Sequence, residues 1–244
     1  MLIPRRIAQL GRRARVQIRS RRRAQVPESS YRVDKAGLRR WLPPDPVIVE
    51  AGAHIGTDTV EFAEIWPKGQ IFAFEPVPEL LAQLTERVAA LPNVEVERRA
   101  LGEGNGTMTM WVSGGDSDGS SSLNAPKVHL DEHPGVTFDQ TLEVPVVTLD
   151  EWAQLRGVEK VDFLWLDMQG HEFAALRAAP RLVHTVSVIV LEVFLKELYE
   201  GAPLWPEARG WLEARGFRIE AELLPWPDSG NVIAVRDPGH RVSQ

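Results

Sequence analysis

Short apolar runs alternate with segments of helical periodicity along most of the chain. Residues 47–49 and 71–74 are apolar runs of the kind that strands buried on both faces show, and they end at Glu50 and Glu75. Between them, residues 57–66 place apolar side chains at helical spacing. This order of strand, helix and strand predicts the first unit of an α/β fold with a mostly parallel sheet.

The same alternation continues downstream. It predicts helices at 79–90, 149–157, 171–178 and 204–215, and strands at 94–100, 161–166, 185–191, 217–222 and 231–236. The last two strands are expected to form an antiparallel hairpin. Residues 107–113 and 143–148 alternate polar and apolar side chains, which predicts an antiparallel extension of the sheet. The glycine- and serine-rich residues 114–124 between them have the composition of a binding loop or of a flexible surface linker.

Composition and length limit the class of protein. The chain has 244 residues, 43% hydrophobic and 25% charged, as in ordinary globular proteins. We expect one large domain over residues 31–244. The absence of cysteine excludes disulfides and thiolate metal sites. No apolar run is long enough for a spanning helix, and the first residues lack the apolar core of a secretory signal, which favours a cytoplasmic protein.

The charge is distributed unevenly along the chain. Residues 1–23 contain nine arginines and no acid, and the 34 acidic residues all follow this segment. Residues 1–30 are therefore expected to form a basic, flexible arm, or an amphipathic helix that contacts an anionic membrane surface, an acidic partner or a second copy of the chain. Nucleic-acid binding is disfavoured, because the basic run has no interleaved aromatic residues and the acidic body would repel phosphates.

The turn after the first strand has the features of a nucleoside site. Gly52 and Gly56 bracket it, and Glu75 ends the next strand 19 residues after Gly56, where a carboxylate accepts the hydroxyls of a ribose. A dinucleotide site requires G-x-G-x-x-G, whereas this chain has E-x-G-x-x-x-G. The spacing favours S-adenosylmethionine, a ligand without phosphate whose amino-acid end needs a nearby acid such as Glu50.

Six segments, taken together, resemble a known family. Their order and content are similar to those of the FkbM family of S-adenosylmethionine-dependent methyltransferases. The segments are, in order, VIVEAGAHIG, FAFEPVPE, RRALG, VPVVTLDEW, VDFLWLDMQGHEFAAL and LEVFLKELYEGAPLW. The resemblance covers about residues 45–236. It implies a Rossmann-like class I methyltransferase with a seven-stranded, mostly parallel sheet, a C-terminal antiparallel hairpin and a β insertion around 103–148. The chain departs from the family pattern at His54, where Asn is usual, and at Gln169, where an acid is common.

The resemblance and the turn chemistry together predict the cofactor site. The adenine ring is expected against Leu101, and the serine-serine-leucine motif at Ser121 and Ser122 is expected to face the cofactor or the acceptor. The predicted cofactor-binding residues are Glu50, Gly52, Ala53, His54, Gly56, Thr57, Glu75, Pro76, Ala100, Leu101, Ser122 and Asp167.

Methyl transfer to oxygen requires that a proton leave the acceptor hydroxyl, so a base is expected beyond the strand ends. Asp167, His171 and Glu192 are the candidates. Asp167 and Glu192 also resemble the acids that hold a divalent metal in catechol-type O-methyltransferases, which would suit magnesium or calcium.

The sequence thus predicts an O-methyltransferase that acts on a hydroxyl of a small molecule or saccharide. Two alternatives stay open at this point. One is a nicotinamide-dependent enzyme, which the missing third glycine disfavours. The other is a non-catalytic methyltransferase fold that serves as an interaction module.

Overall fold

Ten strands and seven α-helices follow a short 3₁₀ helix (Ala36–Arg40) in a computed structural model that describes residues 32–237 and Gly239. The strands are β1 (Val47–Ala51), β2 (Gln70–Phe74), β3 (Val94–Glu97), β4 (Ala100–Leu101), β5 (Gly106–Gly115), β6 (Val136–Val147), β7 (Phe163–Leu166), β8 (Val188–Phe194), β9 (Phe217–Leu223) and β10 (Ser229–Arg236). The helices are α1 (Thr57–Ile65), α2 (Pro78–Val88), α3 (His129–Glu132), α4 (Leu149–Arg156), α5 (Glu172–Arg177), α6 (Pro180–Val183) and α7 (Trp205–Glu213).

The main sheet has seven strands in the order β3-β2-β1-β7-β8-β10-β9. The first five in this order run parallel to one another, and β10 is antiparallel to both β8 and β9. The predicted class I architecture, including the C-terminal antiparallel hairpin, is therefore confirmed. Because the order reverses between β1 and β7, the carboxyl ends of these strands open a crevice at the topological switch point.

Apolar side chains cover both faces of the sheet. On one face, Trp152 of α4 packs edge-on against Phe72 and Phe74 of β2, with ring centroids 4.7 and 5.3 Å apart. On the other face, Phe62 of α1 meets Phe163 of β7 at 5.5 Å. Burial on both faces explains why the strands read as continuous apolar runs rather than as alternating patterns.

The insertion forms its own sheet. β4, β6 and β5 lie side by side, with β5 antiparallel to β6 and β4 parallel to it. The antiparallel pairing was predicted, but the expectation that it extends the main sheet was wrong. The predicted strand 94–100 is also split, because Arg98 and Arg99 interrupt the apolar run and Ala100–Leu101 pairs with β6 instead of β2.

One further boundary differs from the sequence prediction in a way that affects the site. β8 continues to Phe194, so Glu192 lies within this strand and not at its end. α4 begins at Leu149 as predicted, and its first turn is capped by Thr148, whose side chain accepts a hydrogen bond from the Glu151 N–H.

The arginine-rich residues 1–30 lie outside the described residues, so the expectations for this arm stay predictions. Along residues 32–237, no helix combines the length and the apolar character that crossing a bilayer requires.

Candidate active site

A cavity of about 240 Å³ opens beyond the carboxyl ends of β1, β2, β4 and β7. We call it the strand-end cavity. Ten of the twelve predicted cofactor residues line it: Glu50, Gly52, Ala53, His54, Thr57, Glu75, Pro76, Ala100, Leu101 and Asp167. The insertion covers it with Met110, Asp118, Gly119, Ser121 and Leu123. Of the predicted residues, Gly56 and Ser122 do not line it.

Glycine at position 52 allows β1 and β7 to meet at the cavity floor. Gly52 has a positive φ of 84°, and a Cβ there would lie 1.8 Å from the carbonyl oxygen of Asp167. No other residue fits this contact. Gly56 (φ 81°) begins α1, and a Cβ there would lie 2.6 Å from a methyl group of Leu84. Gly56 therefore shapes the turn and its packing against α2 without reaching the cavity.

Glu75 connects two backbone segments that frame the cavity. Its Oε2 accepts a hydrogen bond from the His54 N–H at 2.9 Å, and its Oε1 accepts one from the Val77 N–H at 2.8 Å. The side chain is 4% exposed, and this burial raises the pKa of Glu75 to about 7. Each carboxylate oxygen keeps a further lone pair for a ligand hydroxyl.

Glu50 lies deeper in the same cavity. It is 1% exposed, and its Oε2 accepts a hydrogen bond from the Thr59 hydroxyl at 2.6 Å. Burial raises the pKa of Glu50 to about 8, and the nearby Asp58 and Asp167 add to the increase. A buried acid with this pKa is held mainly as the neutral form at pH 7 until a cation pairs with it.

The turn after β7 joins two of the predicted catalytic acids through Gln169. Its amide nitrogen donates to Asp167 Oδ1 at 2.7 Å and to Glu192 Oε2 at 2.8 Å. The Gln169 amide oxygen faces the Tyr199 hydroxyl at 2.9 Å. Desolvation is the main reason that the pKa values of Asp167 and Glu192 both lie above the ordinary range. The nearby Asp58 further raises the pKa of Asp167, and Asp167 further raises the pKa of Glu192. Asp167 lines the cavity, whereas Glu192 lies behind it.

The backbone is strained at two turns beside the cavity. His54 and Gln169 have φ angles of 53° and 54°, and they are the non-glycine residues with positive φ in the described part of the chain. Such conformations persist where surrounding contacts enforce them, often at functional sites. At the second turn, the buried Glu172 accepts hydrogen bonds from the Met168 N–H at 2.8 Å and the Gly170 N–H at 3.0 Å. Burial raises the pKa of Glu172 to about 8.

The serine-rich loop of the insertion closes over the cavity. Asp118 Oδ1 lies 3.1 Å from His54 Nε2, and Ser121 lines the cavity. The prediction that Ser122 faces the cofactor is not supported by its position. Its hydroxyl is fully buried and donates to the Gln169 carbonyl oxygen at 2.7 Å, so it joins the insertion to the turn after β7.

His171 lies in the cavity wall. The ring is 4% exposed, and its Nδ1 lies 2.6 Å from the Asn124 side-chain oxygen. Asn124 was missed in the sequence, although it directly follows the serine-serine-leucine motif. No local pattern pairs positions 124 and 171, because their contact depends on how the insertion docks.

The comparisons with known proteins agree with this geometry. A family model described as the Methyltransferase FkbM domain matches residues 50–219. The chain belongs to this family. It is therefore an S-adenosylmethionine-dependent methyltransferase, and the sequence resemblance is confirmed.

Two curated relatives and one solved structure illustrate the match. The 2-O-methyltransferase NoeI of Sinorhizobium fredii is 33% identical over 180 residues, which cover 72% of this chain and 74% of NoeI. The hexuronic acid methyltransferase AglP of Haloferax volcanii is 23% identical, covering 61% of this chain and 56% of AglP. A crystal structure of an FkbM methyltransferase from Methylobacillus flagellatus has a TM-score of 0.50 at 14% identity, covering 78% of this chain and 44% of that one, and shows the shared fold.

Proposed function

We propose that this FkbM-family enzyme transfers a methyl group from S-adenosylmethionine to a hydroxyl oxygen of a saccharide or other small molecule. The name of NoeI, a 2-O-methyltransferase, supports methyl transfer to oxygen. The name of AglP, a hexuronic acid methyltransferase, supports a sugar-like acceptor. The observation that carries the proposal is the convergence of three carboxylates on one cavity, the buried Glu50 and Glu75 and the more accessible Asp167.

Each carboxylate suits a different part of the donor and acceptor pair. Glu75 accepts the ribose hydroxyls, and Ala100 and Leu101 supply an apolar surface for adenine. Glu50 pairs with the ammonium group of the methionine end, which lies above the Gly52 turn. This arrangement places the sulfonium near Asp167, whose backbone contacts Gly52.

In the transfer, the acceptor oxygen attacks the methyl carbon and the carbon–sulfur bond breaks. The bonding electron pair stays on sulfur, which leaves as a neutral thioether, and the hydroxyl proton passes to a base. Asp167 is the best placed of the three candidates, because it lines the cavity beside the Gly52 turn. Glu192 does not line the cavity and contacts Asp167 only through Gln169.

The magnesium or calcium ion that the sequence suggested does not fit these residues. A cation that bridged Asp167 and Glu192 would have to take the position of the Gln169 amide nitrogen, which donates to both. Residues 32–237 also contain no group of three or more histidine or acidic side chains arranged to hold a metal. We therefore derive no step through a metal.

Metal independence is testable. We expect EDTA to change kcat by less than about twofold, because the hydrogen bonds of the Gln169 amide already stabilise the two acids. The measurement is methyl transfer after dialysis against chelator, with and without added Mg²⁺ or Ca²⁺. A loss of activity that either ion restores would contradict this assignment.

Cofactor binding should release a proton. Glu50 holds a proton at pH 7 in the free protein, since its pKa is about 8. A bound ammonium group favours the carboxylate, so binding lowers this pKa, and affinity rises with pH up to about pH 8. Calorimetry at pH 7 in buffers of different ionisation enthalpy should show release of about one proton, which Glu50→Gln reduces. Equal release by this variant and the wild type would assign the proton to another group.

The proposed function is tested with radiolabelled S-adenosylmethionine and a panel of saccharides and small-molecule alcohols. Transfer of label to a hydroxyl supports it. Cofactor binding without transfer to any member of a broad panel would contradict the proposed class of acceptor. The cytoplasmic location is part of the proposal, and cell fractionation tests it.

A further inference from the structure

His171 lies at the end of the strand-end cavity where adenine is expected. Its Nε2 is 3.4 Å from the position that a Cβ on Gly102 would occupy, and Gly102 directly follows Leu101. Both Leu101 and His171 line the cavity. The Nε2 atom is buried and has no hydrogen-bond partner among the described residues. A buried, unpaired nitrogen is costly, so a bound ligand that supplies a partner gains affinity from it.

Asn124 determines which ring nitrogen of His171 carries the proton. The Asn124 side-chain nitrogen donates to the Glu200 carbonyl oxygen at 2.8 Å. The opposite amide orientation would place two oxygens against each other there, so the Asn124 oxygen must face His171 Nδ1 at 2.6 Å. Nδ1 is then the donor, and Nε2 presents a lone pair. Burial lowers the pKa of His171, which keeps the ring neutral.

We propose that His171 recognises the adenine base by accepting a hydrogen bond at Nε2 from its exocyclic amino group, and that Asn124 is the positioning residue that fixes this tautomer. The proposal rests on the proposed function, because it assumes that adenine lies against Leu101. A purine with an oxo group in place of the amino group would present an oxygen lone pair to the Nε2 lone pair. The site should therefore reject hypoxanthine, and His171 is assigned to cofactor selection rather than to proton removal.

The test compares two ligands that differ only in this group, S-adenosylhomocysteine and S-inosylhomocysteine. We expect the wild type to bind the adenine compound about 10- to 100-fold more tightly, because the adenine amino group donates a buried hydrogen bond to Nε2, whereas the inosine compound leaves this acceptor unpaired. His171→Ala should reduce the ratio of the two dissociation constants to within about threefold, because neither base then has a partner. His171→Gln, whose amide can donate or accept, should also reduce it and provides a second variant if the alanine chain folds poorly.

Asn124→Leu tests the tautomer separately. Without the Asn124 oxygen, the proton is free to move to Nε2, which then donates to an oxo group. This variant should weaken binding of the adenine compound and strengthen binding of the inosine compound relative to the wild type. The ¹⁵N chemical shifts of the His171 ring should show the proton leaving Nδ1. His184→Ala is the matched control, since this histidine is exposed at the end of α6, and it should keep the wild-type ratio.

The inference would be overturned if His171→Ala and His171→Gln kept the wild-type ratio of the dissociation constants for the two compounds. If kcat also fell in these variants at an unchanged ratio, His171 would be the proton acceptor instead. Failure of the wild type to bind either compound would reject the proposed function itself, and this inference with it, so the two failures are distinguishable.

Discussion

Replacing Glu75 by alanine is expected to raise the Kd for S-adenosylmethionine by about 10²- to 10³-fold, because hydrogen bonds from ribose hydroxyls to a carboxylate contribute about 1.5–3 kcal/mol each. A second loss comes from the protein itself. The His54 and Val77 N–H groups now donate to Glu75 and would lose their acceptor. The turn after β1 and the bend before α2 would then no longer be joined at the cavity.

Two further variants separate these contributions. Glu75→Gln keeps the shape but places an NH₂ group against one of the two backbone donors, so we expect weak binding with smaller loss of thermal stability than in Glu75→Ala. Glu79→Ala removes an exposed acid from the first turn of α2 and should leave affinity unchanged. Calorimetric titration measures Kd, and thermal unfolding reports stability. Wild-type affinity in Glu75→Ala would show that the ribose does not bind at Glu75, and it would contradict the proposed orientation of the cofactor.

The pH dependence of binding gives an independent check on Glu75. Its pKa of about 7 in the free protein means that the carboxylate is about half ionised near neutrality. The ionised form is the stronger acceptor, so affinity should rise between about pH 6 and pH 8. Ionisation of Glu50 also raises the affinity as the pH rises. The slope of affinity against pH in the Glu50→Gln variant therefore isolates the contribution of Glu75.

The strand-end acids were predictable because they depend on local patterns. A buried parallel strand is a continuous apolar run, and a charged residue that ends it must lie at the carboxyl edge, where ligands bind in such sheets. Glu75 and Asp167 follow this rule directly after β2 and β7, whereas Glu50 was expected to end β1 and lies one residue before its end; all three line one cavity. Gly52 was equally evident, since a turn that approaches a neighbouring strand needs a residue without Cβ.

The parts of the site that were missed depend on contacts between distant segments. Ser121 and Ser122 are adjacent, and only the register of the insertion decides that the first lines the cavity and the second bonds to Gln169. The split of the predicted strand 94–100 likewise depends on pairing with β6, more than 40 residues away in sequence. The left-handed backbone of Gln169, which directs its amide between two acids, has no signature in the sequence.

Asp167→Asn is expected to lower kcat by about 10²- to 10⁴-fold while the Kd for S-adenosylmethionine changes by less than about threefold. The carboxamide has nearly the same shape, and the backbone contacts of position 167 with Ala51 and Gly52 stay in place. What it lacks is a group that can take the hydroxyl proton. Desolvation by the surrounding protein, which holds the pKa of Asp167 above its ordinary range, makes the native carboxylate a stronger base for this step.

Gln169→Ala extends this prediction from the base to the residue that positions it. The Gln169 hydrogen bond stabilises the ionised form of Asp167 and lowers its pKa, against the larger effect of burial. Its removal should therefore raise the pKa and shift the acidic limb of the kcat profile to higher pH, with activity partly recovered in alkaline buffer. Asp139→Asn, an exposed acid of the insertion, is the matched control and should leave the profile unchanged. Wild-type kcat in Asp167→Asn would show that Asp167 does not remove the hydroxyl proton. An unshifted pH profile in Gln169→Ala would likewise place the base outside the turn after β7, because a base elsewhere would not respond to either substitution.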